Sequence, residues 1–154
     1  MKSQIKFYSL FVIFTLLFSC PSDDAVPQTI VGDWILVSSN TTQFINGTQD
    51  YSEDFVVNQD NYSRLSFLAD GTYIEFTSYT YTDINGDTVV DTDTDSGTYI
   101  TNGNLLSISY DNGPDVFNIE YIISGNQLDT FFFEEYVFNG DVFREEYRAS
   151  FIRD

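Results

Sequence analysis

Ser63-Arg64-Leu65-Ser66-Phe67-Leu68-Ala69-Asp70-Gly71-Thr72-Tyr73-Ile74-Glu75-Phe76 is a run rich in apolar and aromatic residues, with a turn signal at Asp70-Gly71. Asp-Gly tolerates positive φ at little cost and is favoured where two antiparallel strands meet in a tight turn. The stretch therefore predicts a hairpin, with strands over Ser63–Leu68 and Thr72–Thr82. The same punctuation recurs outward in both directions, at Asn46-Gly47, Asn85-Gly86, Asn102-Gly103, Asp111-Asn112-Gly113-Pro114, Ser124-Gly125-Asn126 and Asn139-Gly140. Between these points lie runs rich in Val, Ile, Thr, Tyr and Phe with little helical periodicity. They predict further strands over Val31–Ser38, Thr88–Ile100 with an interruption, Asn104–Tyr110, Val116–Ile123, Gln127–Phe138 and Val142–Ile152. Eight strands joined by short turns predict an all-β, up-and-down antiparallel meander. Ser39–Tyr62 is the least regular stretch and leaves a lid, a loop or a short helix open.

Alternation is clearest in the last strand. Phe143, Tyr147, Ala149 and Phe151 share one face, and Arg144, Glu146, Arg148 and Ser150 share the other, so the first set is expected to point inward. Thr29–Asp154 is long enough for one core and too short for two comfortable ones.

The chain begins differently. Lys2 and Lys6 precede an apolar run from Phe7 to Phe18, and Ser19-Cys20 follows. This is the order of a cleavable secretory signal over residues 1–19. The run is 12 residues long, well short of the ~20 that cross a bilayer as a helix. Cys20 is the only cysteine, so it has no partner for an intramolecular disulfide. Leu17-Phe18-Ser19-Cys20 resembles the lipobox of bacterial lipoproteins, which implies a lipid on the Cys20 thiol and permanent attachment to a membrane through the acyl chains. Pro21-Ser22-Asp23-Asp24 resembles the acidic signal that directs some Bacteroidetes-type lipoproteins to the outer face of the outer membrane. Residues 20–28 are then a lipidated cysteine and acidic linker, and residues 29–154 the folded domain.

Cleavage before Cys20 removes both lysines and no acid, leaving four arginines against 24 acidic residues and a formal charge of −20. No basic stripe for nucleic acid or for an anionic bilayer can be assembled from these. The 11 Tyr and 15 Phe of the full chain supply enough burial to favour folding over disorder despite the charge.

Four motifs stand in order along the chain: Val31-Gly32-Asp33-Trp34-Ile35-Leu36-Val37-Ser38, then Leu65–Tyr73 through Asp70-Gly71-Thr72-Tyr73, then Ser96-Gly97-Thr98-Tyr99, then Gly103-Asn104-Leu105-Leu106-Ser107-Ile108. With the closing Phe151-Ile152-Arg153, they make residues 30–154 resemble the lipocalin-like domain family of small bacterial lipoproteins. The resemblance implies a single eight-stranded, up-and-down antiparallel lipocalin-like (calycin) barrel. It also implies a structural motif of Gly32, Trp34 and Arg153, in which the arginine packs over the tryptophan at the closed end.

The chain has no histidine, its mature form has no lysine, and its one cysteine is expected to be acylated. Ser-His-Asp and Cys-His catalysis, histidine-ligated metals and lysine Schiff bases are thereby excluded. A pair of carboxylates suited to glycoside hydrolysis is the one catalytic arrangement left open, and the chain reads as non-enzymatic, with no cofactor. Asp91-Thr92-Asp93-Thr94-Asp95 places oxygens at alternate positions like a calcium loop. However, the glycine is at Gly97 and Asn102 stands where an EF-hand needs glutamate. A weak cation site on Asp91, Asp93 and Asp95 is set against a solvated acidic hairpin. Asp87-Thr88-Val89 resembles the short O-glycosylation motif of exported proteins in this bacterial group.

Two non-catalytic functions follow. Many lipocalins bind small hydrophobic ligands, and Phe67, Tyr73, Phe76, Tyr99, Phe117, Phe132 and Tyr147 are candidates to line such a cavity. Alternating aromatics are equally expected of a barrel filled by its own side chains. The alternative is a surface interaction module of an envelope or polysaccharide-handling assembly, with a filled barrel and an exposed aromatic patch.

Overall fold

A computed structural model describes residues 29–154. Residues 1–28, where the signal sequence, the lipid-bearing Cys20 and the linker are expected, lie outside the described residues.

Nine strands follow one another: β1 (Gly32–Ile45), β2 (Thr48–Phe55), β3 (Tyr62–Phe67), β4 (Thr72–Thr82), β5 (Thr88–Asn102), β6 (Leu105–Tyr110), β7 (Val116–Ser124), β8 (Gln127–Phe138) and β9 (Asp141–Arg153). All pair antiparallel, in the order β2-β1-β3-β4-β5-β6-β7-β8-β9, and β9 returns to β1. Eight strands thus close a barrel, and β2 is an additional strand outside the ring. One edge of β1 is taken by β9 from Trp34 to Ile45. The other is shared, with β3 along Gly32–Ile35 and β2 along Ser39–Ile45.

Ser39–Tyr62 is therefore not a lid or a helix. β1 continues through it to Ile45 and turns at Asn46-Gly47 into β2. The segment Ser38-Ser39-Asn40-Thr41-Thr42-Gln43 lacks the apolar alternation that marks a strand, because it gains its extended form from backbone pairing to strands on both sides. Val37 is an extra residue between the paired Leu36 and Ser38, a bulge that turns β1 as it leaves the barrel. The expected interruption in Thr88–Ile100 is absent as well, since β5 runs unbroken to Asn102.

Asn46-Gly47 and Asn139-Gly140 have positive φ at both central residues, at 51°, 79°, 52° and 93°. Such turns match the right-handed twist of the strands they join. They stand at one end of the barrel with the loops at residues 83–87 and 111–115, and Asp70-Gly71 and Gly103 turn the chain at the other.

The two ends differ. Trp34, Phe67, Tyr73, Leu106 and Leu128 are fully buried in one cluster with Leu36, Leu65, Ile108, Ile123 and Phe151, and this closes the end near Gly32 and Arg153. Each such side chain stabilises the fold by about 1.5–3 kcal/mol through removal from water. Toward the other end the ring opens. β8 pairs with β7 only as far as Phe131 but continues beside β9 to Phe138. β4 loses β3 after Ser78, and β5 meets β6 only from Gly97. A four-stranded wing, β2-β1-β9-β8, and the β4–β5 hairpin therefore project from the same end. β2 is exposed throughout and carries Asp50, Glu53 and Asp54 on a free edge, where charge discourages edge-to-edge pairing.

Candidate functional site

Cross-strand pairs place side chains on a common face, so the registers tell inside from outside. Phe67 pairs with Tyr73, Tyr99 with Ile108, Ile108 with Phe117, and Phe132 with Tyr147. All six aromatic residues point into the barrel. Their rings form a continuous file together with Tyr110. Phe67 lies 5.0 Å from Tyr99 and 5.1 Å from Tyr73 between centroids, Tyr73 lies 5.9 Å from Tyr110, and Tyr110 lies 5.6 Å from Phe117. Phe117 then reaches Phe132 at 6.3 Å, and Phe132 stacks on Tyr147 at 4.8 Å and 16°. Phe67 and Tyr73 are buried in the closed end, whereas Phe117, Phe132 and Tyr147 are half-buried toward the mouth.

Phe76 does not belong to this file. It pairs with Arg64 and packs on Tyr62 at 5.6 Å, on the outer wall. Tyr73, Glu75 and Thr77 point inward and the residues between them outward, so the period of two excludes Phe76 from the interior.

Two carboxylates hold the file in place. Glu75 accepts hydrogen bonds from the Tyr73 hydroxyl at 2.7 Å and the Tyr110 hydroxyl at 3.2 Å. Burial, then the Glu75 charge, pushes the Tyr110 phenol up to about 12, and the same two causes raise Tyr73 far above the ordinary phenol range. On the opposite wall Glu145 accepts from the Tyr147 hydroxyl at 2.5 Å, from Gln43 Nε2 at 2.8 Å and from Tyr136 at 3.4 Å. The Tyr147 hydrogen bond, followed by that of Gln43, holds Glu145 below the usual carboxylate range. None of Glu75, Tyr110, Glu145 or Gln43 was singled out from the sequence. Tyr73-x-Glu75 and Glu145-x-Tyr147 are same-face pairs two residues apart, and strand periodicity alone could have found them.

Charge is divided between the faces. The inner face of the projecting strands carries Glu53, Glu134 and Glu145 on one side and Glu75, Asp91, Asp93 and Asp95 on the other. Arg64, Arg144 and Arg148 occupy outward positions, and Arg153 sits at the closed end. Asp91, Asp93 and Asp95 stand on one strand face, where alternate residues are about 6.6–6.8 Å apart, so their carboxylates do not converge. Among the described residues no group of three potential metal ligands is placed to hold an ion.

At the closed end the Arg153 guanidinium lies 4.3 Å over the Trp34 ring. Its Nη1 and Nη2 donate to the carbonyls of Val31 and Thr29, each at 2.8 Å, and Trp34 Nε1 donates to Ile30 O at 2.7 Å. Gly32 has φ +135°, and a Cβ there would meet Arg153 Nη1 at 2.6 Å. Gly32, Trp34 and Arg153 thus form one plug that seals the base.

A groove of about 440 Å³ lies on the outer wall, over β7, β8, β9 and β1. Asn40, Asp129, Phe131, Arg148 and Ser150 line it, all at positions that alternate with inward residues.

No curated protein and no solved structure matches the chain. The family model for the lipocalin-like domain matches residues 30–130, more than half of the chain. With a closed eight-stranded antiparallel barrel plugged at one end by Trp34 and open at the other, the chain belongs to the lipocalin-like domain family.

Proposed function

We propose that this is a non-catalytic envelope lipoprotein, anchored in the outer membrane through lipid on Cys20. Its barrel binds a small, apolar, neutral or cationic ligand at the open end. The observation that carries this reading is the mouth itself. Half-buried Phe117, Phe132 and Tyr147 continue a file of rings out of a filled base, and the acids beside them face no inward arginine. Rings give apolar contact and attract cations over their faces, while the surrounding carboxylates disfavour an anionic ligand such as a fatty acid. The filled base supports a ligand held at the mouth rather than enclosed in a deep cavity.

Binding is tested with N-phenylnaphthylamine, a neutral apolar fluorophore. Saturable enhancement, competed by an aliphatic amine and not by palmitate, is the expected result. Phe132→Ala should weaken binding about five- to tenfold, the worth of one aromatic contact of ~1–1.5 kcal/mol. No saturable binding, or competition by palmitate alone, contradicts the reading. For the anchor, Cys20→Ala should leave soluble periplasmic protein or uncut precursor. Firm membrane fractionation of the variant with its signal uncut contradicts lipidation.

A second reading, a surface interaction module, draws on the exposed apolar tip of the β8–β9 hairpin at Val137, Phe138 and Val142. Exposed tip residues of this kind commonly mark contacts with another macromolecule. Polar substitution of all three should abolish capture of an envelope partner while leaving fluorophore binding unchanged. Unchanged capture contradicts this second reading.

A further inference from the structure

The outer groove is distinct from the barrel mouth, because Asn40, Asp129, Phe131, Arg148 and Ser150 in its lining occupy outward positions on β1, β8 and β9. At about 440 Å³ it falls within the range of small-ligand sites, about 300–1,000 Å³. We propose that it is a second binding site, for a neutral polyhydroxylated ligand of the oligosaccharide class.

The lining chemistry selects that class. Asp54, Glu120 and Asp129 stand against one cation, Arg148, so the groove is net negative and disfavours an anion. Its polar groups are held before any ligand arrives. Asn40 Nδ2 donates to Asp54 Oδ1 at 2.8 Å and to Ser52 Oγ at 3.0 Å. Asp129 accepts from Ser150 Oγ at 2.5 Å and from Gln127 Nε2 at 2.8 Å. A carboxylate has about four acceptor sites and a guanidinium has five donors, so Asp129 and Arg148 keep hydrogen-bonding capacity beyond these contacts. Arg148 Nη2 contacts Glu146 at 3.0 Å, and its guanidinium is stacked 4.3 Å from the Phe131 ring.

Phe131 and the exposed Ile122 add apolar surface to this fixed polar rim. A sugar meets both halves at once. Its hydroxyls donate to Asp129 and accept from Arg148, and its C–H face lies on Phe131 and Ile122, while Asn40, already bonded to Ser52 and Asp54, fixes the rim. A purely apolar ligand would leave the polar rim unsatisfied, which disfavours it.

The test uses the full chain, isotope-labelled, titrated by NMR with cellohexaose, maltohexaose, xylohexaose and mannohexaose, and separately with spermidine. Expected is saturable movement of the Asn40, Asp129, Phe131, Arg148 and Ser150 amides with at least one oligosaccharide. Asp129→Asn and Asn40→Ala, on different strands, should each weaken that binding about tenfold or more, whereas Thr92→Ala on the far hairpin should not. Thermal melts confirm that each variant is folded, and if one is not, the other decides. Absence of saturable shifts with all four oligosaccharides overturns the proposal. So do shifts confined to the mouth, or spermidine alone binding at these amides.

Discussion

Arg153 and Trp34 are cross-strand partners on β9 and β1, and the guanidinium of one covers the indole of the other at 4.3 Å while bonding to the carbonyls of Thr29 and Val31. One side chain therefore joins the last strand, the first strand and the segment that leads into the barrel. A cation over indole contributes about 0.5–2 kcal/mol, and hydrogen bonds from a charged donor about 1.5–3 kcal/mol each.

Arg153→Ala should lower stability by roughly 2–4 kcal/mol, since both contributions go together and are not additive. Arg153→Lys should recover little of it, because an ammonium cannot reproduce the planar fork that reaches two carbonyls and lies over the ring. Denaturant unfolding of the three proteins checks this. A lysine variant as stable as the parent would show that charge alone suffices.

Gly32→Ala should destabilise the same plug. Its φ of +135° and the 2.6 Å approach to Arg153 Nη1 leave the new methyl group no room unless the arginine moves. The expected signature is a lower thermal midpoint in the parent background and a smaller loss in an Arg153→Ala background, where the obstructing atom is gone. Equal losses in both would assign the whole cost to the backbone.

The tyrosine–carboxylate pairs predict how stability depends on pH at both extremes. The phenols of Tyr73 and Tyr110 are raised in the fold, by burial first and the Glu75 charge second. A raised group stabilises the fold fully below its unfolded value, near 10, and the contribution is lost as pH rises through the folded value, about 12 for Tyr110. Alkaline unfolding should accompany the appearance of tyrosinate absorbance, and Tyr110→Phe should remove part of that dependence. Tyrosines that all ionise near 10 in the folded protein would contradict it.

Glu145 is lowered, chiefly by the Tyr147 hydroxyl, so its contribution is present above its ordinary value near 4.5 and is lost as pH falls through the depressed one. Tyr147→Phe should raise the Glu145 titration midpoint toward the ordinary range, as followed by carboxyl NMR shifts. An unchanged midpoint would show that Gln43 holds the carboxylate alone.

Much of the barrel was legible because each Asn-Gly or Asp-Gly separates runs of strand-forming residues, and seven of the nine strands closely match the runs between those signals. The long reach of β1 and all of β2 were not, since Ser39–Gln43 and Thr48–Asp54 are polar on both faces and become strands through pairing with distant segments. Six of the interior aromatics were legible from the alternation, whereas Tyr110 was not, and Phe76, which hydrophobicity places inside, is placed outside by register. The division between a filled base and an open mouth was hidden for a different reason. It depends on where β7 and β3 stop pairing while β8 and β4 continue, and strand ends of that kind are set by tertiary contacts rather than by local composition. The outer groove is assembled from β1, β2, β7, β8 and β9 and carries no local sequence signal.

Ligand binding at the open mouth is tested most directly by chemical-shift mapping of N-phenylnaphthylamine on the full, isotope-labelled protein. Saturable changes should centre on Phe117, Phe132 and Tyr147 at the open end, with Trp34 and Leu128 in the filled base unmoved. Saturable changes at the base instead, or none anywhere in the barrel, would contradict binding at the mouth.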